Sequence, residues 1–498
     1  MKVEASRPKR DEGAKLNMMT PLKAEGVSEI FVDLDGTLCR GDVFIESLVR
    51  LLFRKPLLAL RIFLIALSDP AGAKTLAAFH DRVAAERLPY NDGLIDYLKD
   101  QKAKGRRLTL ATACHGAIAR RVARHLDLFD AVLATDRRTN LKGARKLESI
   151  RRSSGAAPFC YAGDSRADAP IWSAAGTGVY VNAPGQLVRR AEAAGSAERV
   201  FVNERSTAAA LLRAMRPHQW SKNLLVFVPL ITSSSYTNLQ AVTAAVLAFV
   251  SLSLCASGVY LLNDLTDVDS DRQHPTKRNR PIASGALSVP LAMAGVAGCM
   301  TSALLVGLAV HQPWFMASLL AYGVTTTAYS FFIKRKHTAD VITLAGLYSV
   351  RIVAGAAAIA VVVSFWLLAF SMFFFLGLAY VKRYAELAEA KTKKLPGRGY
   401  GPADTEAVYI LGIASSFAAV VVFALYIDSD QVTLQYRTPQ ILWGMCVALL
   451  YWVNRVWMLA RRGEIDHDPI LFALRDRVSL GCVALCGVAL IAARLVQI

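Results

Sequence analysis

The stretch NDLTDVDSDRQHPTKRNRPIASG, Asn263 to Gly285, stands directly after a long apolar run and sets carboxylates beside cations. Asn263, Asp267 and Asp271 recur every fourth residue, so on a helix they share one face. Oxygen ligands on one face suit Mg²⁺, a hard cation that takes a few carboxylates and completes its shell with phosphate oxygens. The basic residues downstream in the same segment suit the remaining phosphate charge. A cluster of charges in a loop is ordinarily only a solvated turn. Here the acids continue an apolar helix, and ionisable groups in that setting mark a functional site by default.

Working outward, a chain of 498 residues is too long for one ordinary core, and its composition changes near residue 215. Beyond that point apolar runs fall at about 220–235, 238–262, 287–309, 313–333, 339–360, 363–381, 407–427, 439–460 and 478–497. Runs of roughly 20 residues cross about 30 Å of hydrocarbon, so the second half is expected to be an all-α polytopic membrane domain of about nine transmembrane helices. The loops after the second, fourth, sixth and eighth runs carry Arg272, Lys277, Arg278 and Arg280; Lys334, Arg335 and Lys336; Lys382, Arg383, Lys391, Lys393, Lys394 and Arg398; and Arg461, Arg462, Arg475 and Arg477. The opposite loops hold almost nothing basic except Arg437. By the positive-inside rule the charged loops and the N-terminal half face the cytoplasm, and the C-terminus lies outside the inner (plasma) membrane. The net charge of +19 is thereby a topology signal, not a nucleic-acid footprint. The eight cysteines form no CxxC pair and mostly sit in apolar runs, as reduced packing residues do. The expected organisation is a disordered tail over 1–25, a soluble domain over 26–202, a linker over 203–215 and the membrane domain over 216–498.

The string NDLTDVDSD resembles the first aspartate-rich motif, N-D-x-x-D-x-x-x-D, of the UbiA superfamily of intramembrane prenyltransferases. The longer strings DRQHPTKRNRPIASG, RPHQWSKNLLVFVPL (Arg216 to Leu230) and YSFFIKRKHTADV (Tyr329 to Val341) are more narrowly similar to its polyprenyl-phosphate phosphoribosyltransferases, typified by the decaprenyl-phosphate enzymes. The resemblance covers residues 213–498. Where most of the superfamily has a second Asp-rich motif, this chain reads LAYVKRYAELAEAKTKK, with Lys382, Arg383, Glu386 and Glu389. Cations at that place favour phosphate directly, as suits a phosphoribosyl pyrophosphate donor and a lipid monophosphate acceptor. The resemblance implies Mg²⁺ on Asn263, Asp267 and Asp271, with Asp267 and Asp271 catalytic. It further implies Lys277 and Arg280 on phosphates, Lys222 and Lys334 on anionic groups at the same mouth, and Asp340 and Arg351 as polar groups on inward faces. Asp340, Arg351 and the segment HDPILFALRDR, with Asp468 and Asp476, could equally pair with one another as structural ion pairs.

In the first half, IFVDLDGTL (Ile30 to Leu38) is an apolar strand running into Asp33 and Asp35, which alternation points the same way. It resembles the first motif of haloacid-dehalogenase-like phosphatases, in which one aspartate attacks phosphorus and the second protonates the leaving group. The family's other motifs follow in order: RLTLATA with Thr112, NLKGARK with Lys142 or Lys146, and FCYAGDSRADAPIW with Asp164 and Asp168. The resemblance implies an α/β Rossmann-like phosphatase domain. Mg²⁺ would sit on Asp33, Asp164 and Asp168, and Thr112 and a lysine would bind the phosphoryl group, Lys142 being preferred for its K-G dipeptide. Residues 40 to about 100 read as a small helical cap, in which PLLALRIFLIAL is short for a span and suits packing or contact with a membrane surface.

Together these readings imply a bifunctional enzyme with one Mg²⁺ at each site. Its partners are phosphoribosyl pyrophosphate, a polyprenyl phosphate and the lipid bilayer, without nucleic acid; homo-oligomerisation stays open. Two alternatives compete. An aromatic prenyltransferase of quinone-type lipid synthesis is disfavoured by the missing second Asp cluster. A lipid transporter with a regulatory pseudo-phosphatase domain would place its polar residues at the midplane, whereas here they lie at span ends.

Overall fold

The computed structural model describes residues 27–155, 157–202, 206–390, 398–429, 432, 436–465 and 469–495. The chain separates into two units. One is Met1–Ser206 with Asp269–Asn279 and Ala283–Val289, and the other is Thr207–Val268 with Arg280–Ile282 and Pro290–Ile498. The expected tail over 1–25 lies outside the described residues, as do Lys391, Lys393, Lys394 and Asp468. Of the expected linker, Thr207–Met215 is a helix.

The first unit is built on a parallel sheet of β1 (Glu29–Val32), β2 (Arg107–His115), β3 (Ala131–Thr135), β4 (Phe159–Gly163), β5 (Thr177–Val181) and β6 (Ala197–Phe201) in the order β3-β2-β1-β4-β5-β6. Each strand alternates between two apolar layers. Ile30, Val32, Leu108, Leu110, Cys160, Ala162, Val179 and Val181 face one core, and Phe31, Ala111, Phe159, Tyr161 and Tyr180 face the other. A sheet buried on both faces needs this uninterrupted apolar character. The chain leaves β1 to one side for β2 and to the other for β4, so a crevice opens at the C-terminal ends of β1 and β4, where α/β proteins hold ligands.

Between β1 and β2 stand the helices α1 (Val43–Arg54), α2 (Pro56–Ser68) and α3 (Pro70–His80), which share a small apolar core of Leu51, Ala59, Ile62, Ala73 and Ala77. These three are the cap. It ends earlier than the expected residue 100, because the next helix, α4 (Asp92–Ala103), sends Leu94 and Leu98 into the sheet core instead.

In the second unit seven described helices are long and apolar enough to cross a membrane: Leu239–Thr266, Val289–Leu308, Ala339–Ala358, Phe365–Glu389, Pro402–Ile427, Pro439–Arg462 and Arg477–Leu495. The expected nine is not confirmed. The run at 220–235 folds as a 3₁₀ segment, Pro217–Phe227, followed by the short helix Val228–Thr232. The run at 313–333 does form a helix, Pro313–Phe331, but Thr325, Thr326, Thr327 and its tyrosines leave it less apolar than the seven. All eight cysteines are free, six of them buried, in line with a packing role.

Candidate active sites

The turn after β1 fixes the first site. Asp33 leaves the strand with its N–H donated to Ala162 O on β4 (2.9 Å), and its Oδ1 accepts the Leu34 N–H (2.8 Å). Gly36 turns the chain with φ +78°, and a Cβ there would stand 2.1 Å from Asp164 Oδ2. Only glycine gives both the left-handed backbone and the close approach. Thr37 then donates to Asp164 Oδ1 (3.4 Å), and Asp35 accepts the Val43 N–H at the start of α1 (2.9 Å).

Asp164 and Asp168 follow β4. Ligand oxygens of Asp33, Asp164 and Asp168 lie within 4.8 Å of one another, and among the described residues no other three His, Cys, Asp or Glu side chains gather so closely. Burial, then the charges of Asp33 and Asp168, push Asp164 up to about 7. Burial also raises Asp33, against the pull of Lys146. Three carboxylates thus repel one another in a desolvated crevice, which is the electrostatic condition a divalent cation relieves. These all-oxygen donors fit Mg²⁺.

The lysine of the site is Lys146. Its Nζ lies 2.8 Å from Asp33 Oδ2 and 3.5 Å from Asp168 Oδ1, and donates to Tyr161 OH (3.0 Å), which donates in turn to Asp168 Oδ1 (2.8 Å). Burial draws its pKa down, but Asp33 and Asp168 outweigh burial and hold it above the usual lysine value. Lys142, preferred from sequence, is exposed; it precedes α5 (Ala144–Ser154), whose inner face carries Lys146. Thr112 is fully buried within β2, not at its end, with its hydroxyl accepting the Cys114 N–H (3.0 Å). Lys74, which sequence reasoning missed, reaches from α3 to Ala113 O (2.7 Å) and Asn140 Oδ1 (3.0 Å). No motif marks it. Asp35 is raised well above the usual carboxylate range, first by burial and then by Asp42, a shift in the direction a proton donor needs.

In the second unit Asn263 and Asp267 close the helix Leu239–Thr266. Asn263 Nδ2 donates to Ser330 Oγ (3.0 Å), leaving its carbonyl oxygen for a ligand, and Asp267 Oδ2 lies 3.8 Å from Lys334 Nζ. In the segment Asp269–Asn279, which belongs to the first unit, Asp271 is buried on the short helix Val268–Gln273, and Lys277 is exposed in the turn Lys277–Asn279. The acid that sequence reasoning passed over is Asp264. It is buried, pairs through Oδ1 with Arg216 and with Arg280 (3.1 Å), and keeps a buried Oδ2 without a hydrogen-bond partner. A buried carboxylate oxygen without a hydrogen-bond partner is a group that a cation satisfies.

Deeper in, Lys222 is buried, and Arg351 is held by Asn223 Oδ1 (2.8 Å), the Tyr322 hydroxyl (3.0 Å) and the Tyr348 ring face (5.3 Å). Arg351 and Asp340 do not pair with each other. Asp340 lies 2.7 Å from Arg383 and 3.2 Å from Arg398, with Glu386 against both arginines. Arg383 is fully buried there, its charge already matched, which corrects the expectation that it stands ready for phosphate. Its neighbour Lys382 remains partly exposed. Asp476 pairs with Arg455 (2.6 Å), a structural ion pair.

Residues 224–480, more than half of the chain, match the UbiA prenyltransferase family. The chain belongs to that family. Residues 30–172 match the haloacid dehalogenase-like hydrolases, so a UbiA domain follows an N-terminal hydrolase-like domain. Both parts are shared with uncharacterized protein y4nM of Sinorhizobium fredii, 35% identical over 473 residues, 93% of this chain and 90% of that protein. Nodulation protein NoeC of Azorhizobium caulinodans is 36% identical over 276 residues, 54% of this chain and 88% of its own. A decaprenyl-phosphate phosphoribosyltransferase of Mycolicibacterium smegmatis is 38% identical over 288 residues, 54% of this chain and 87% of its own.

Proposed function

We propose that this UbiA-family chain is a bifunctional membrane enzyme. Its C-terminal domain transfers 5-phosphoribose from phosphoribosyl pyrophosphate to a polyprenyl phosphate. Its N-terminal domain removes the 5-phosphate, giving polyprenyl-phosphoryl ribose for a cell-envelope pentose donor of the arabinose type. What supports this most is the joining, in one chain, of a domain like the named phosphoribosyltransferases to a site where Asp33, Asp164, Asp168 and Lys146 converge.

In the transfer, a phosphate oxygen of the lipid forms a bond to ribose C1 as the bond from C1 to pyrophosphate breaks and pyrophosphate leaves with the electron pair. Lys277, Arg280, Lys334 and Lys382 hold phosphate charge, and Lys222 and Arg351 place cations inside the bundle. In the hydrolysis, Asp33 attacks phosphorus and Asp35 gives its proton to the departing ribose oxygen. Asp35 then takes a proton from the water that frees phosphate from Asp33. Lys146 and Thr112 hold the phosphoryl oxygens. Mg²⁺, on Asn263, Asp264, Asp267 and Asp271 in one site and on Asp33, Asp164 and Asp168 in the other, would supply charge neutralisation at phosphate. The charged loops and the N-terminal domain face the cytoplasm in this reading.

Supplying phosphoribosyl pyrophosphate labelled separately in the ribose and the 5-phosphate, with a polyprenyl phosphate, tests both halves. Ribose label should enter the lipid fraction and the 5-phosphate label should appear as free phosphate. Ribose label that never reaches lipid defeats the transferase reading; 5-phosphate label that stays on the lipid defeats the phosphatase reading.

A further inference from the structure

Helix α2, PLLALRIFLIALS, carries two apolar faces. One, made of Leu58, Ala59, Ile62, Ile65 and Ala66, packs into the core of the cap. On the other, Leu57, Leu60, Leu64 and Leu67 are spaced three or four residues apart, so they form a single stripe. That stripe is bare: Leu57 is 83% exposed, Leu60 54%, Leu64 56% and Leu67 73%, with Phe63 at 50% beside it. A helix apolar all round is normally buried, in protein or in lipid. At about 1.5 Å per residue its 13 residues reach only about 20 Å, too short to cross a bilayer.

We propose that the outer face of α2 docks the cap on the lipid surface, lying in the headgroup region with its leucines toward the acyl chains. Two observations select lipid over other occupants. The same chain carries seven helices fit to cross a membrane, so a bilayer is its constant neighbour and the cap is tethered to it. The stripe is also flanked by exposed cations, Arg54 and Lys55 before it and Arg61 within it, which suit anionic headgroups, while its far end carries only Asp69. An interfacial helix combines these features: a bare apolar face, basic residues at its margin and a length short of a span. The docking does not depend on what the site hydrolyses.

The test uses the full chain in nanodiscs of phosphatidylcholine and phosphatidylglycerol containing a phospholipid with a photoreactive acyl chain. After irradiation, adducts are mapped by mass spectrometry. Adducts should appear on Pro56–Ser68 as well as on the spans. In a Leu57→Glu, Leu60→Glu, Leu64→Glu variant they should fall at least tenfold on Pro56–Ser68 and stay unchanged on Leu239–Thr266, the internal standard for insertion. These positions are exposed, so the substitutions leave the cap core intact, and unchanged hydrolysis of a water-soluble aryl phosphate checks this. No adducts on Pro56–Ser68 in the wild type, undiminished adducts in the variant, or cross-links from this stretch to protein in place of lipid would each overturn the proposal. Absence of aryl phosphate hydrolysis in the wild type would bear on the phosphatase reading alone.

Discussion

In the N-terminal site three carboxylates gather with one lysine, which pairs with two of them, whereas in the membrane domain Asp264 and Asp340 each already face arginines, Asp264 with Arg216 and Arg280, Asp340 with Arg383 and Arg398. The first arrangement carries excess negative charge in a desolvated place, and it is held only if something positive is added. The second is close to neutral by itself, so its charges fix helices as much as they bind ligands. A cluster of like charge therefore points to a metal, while a paired cluster must be searched for the atom left over. Among the described residues of the membrane domain, Asp264 Oδ2 is such an atom; Asp340 Oδ2 also lacks a hydrogen bond but lies 2.7 Å from Arg383.

The largest effect that could break this contrast comes from Asp267→Asn. It should lower ribose transfer about a hundredfold or more, since aligned charge at the leaving group is among the largest catalytic contributions. Hydrolysis of an aryl phosphate should stay within about twofold; a fall in both activities would mean that the two sites are not independent. Arg383→Ala comes next. Removing Arg383 leaves two carboxylates, Asp340 and Glu386, facing Arg398 alone, and breaking a buried ion pair costs about 3–5 kcal/mol. Thermal unfolding in detergent should show this loss, whereas Lys382→Ala should leave stability unchanged and raise the KM for phosphoribosyl pyrophosphate. If Arg383→Ala unfolds like wild type, the Asp340 network is not structural.

Two smaller effects sharpen the N-terminal side. A charge-assisted hydrogen bond contributes about 1.5–3 kcal/mol, so Lys146→Ala should slow aryl phosphate hydrolysis roughly 10- to 150-fold, with Lys142→Ala near wild type. The reverse order would return the lysine role to Lys142. Gly36→Ala should raise the Mg²⁺ concentration needed for half-maximal hydrolysis by about tenfold, because the added Cβ displaces Asp164 and outer groups tune metal affinity on that scale. An unchanged Mg²⁺ dependence would remove Asp164 from the ligand set.

The parallel sheet, the cap and the membrane half were legible in the sequence because each rests on a short-range pattern: alternation into Asp33, apolar runs of span length, cations in alternate loops. The failures occurred where tertiary placement overrode such a pattern. The four-residue spacing of Asn263, Asp267 and Asp271 crosses a helix end, with Thr266 last and Asp267 as its cap, and it passes over Asp264, which is buried as Asp271 is. Two lysines in LKGARK are equivalent by composition; Gly143, at φ +58°, starts α5 in the register that buries Lys146. Arg383 reads as a phosphate ligand in sequence because one of its two carboxylate partners, Asp340, lies far away in sequence on another helix.

The most direct measurement of the consecutive-step reading compares the lipid product of the intact chain with that of Asp33→Asn, both supplied with phosphoribosyl pyrophosphate and a polyprenyl phosphate. Asp33→Asn removes the nucleophile of the N-terminal site and leaves the membrane site untouched. The expected result is polyprenyl-phosphoryl ribose from the intact chain and its 5-phosphorylated form from the variant, with equal total ribose in lipid. The same lipid product from both proteins would contradict the reading and leave the N-terminal domain acting on some other phosphate.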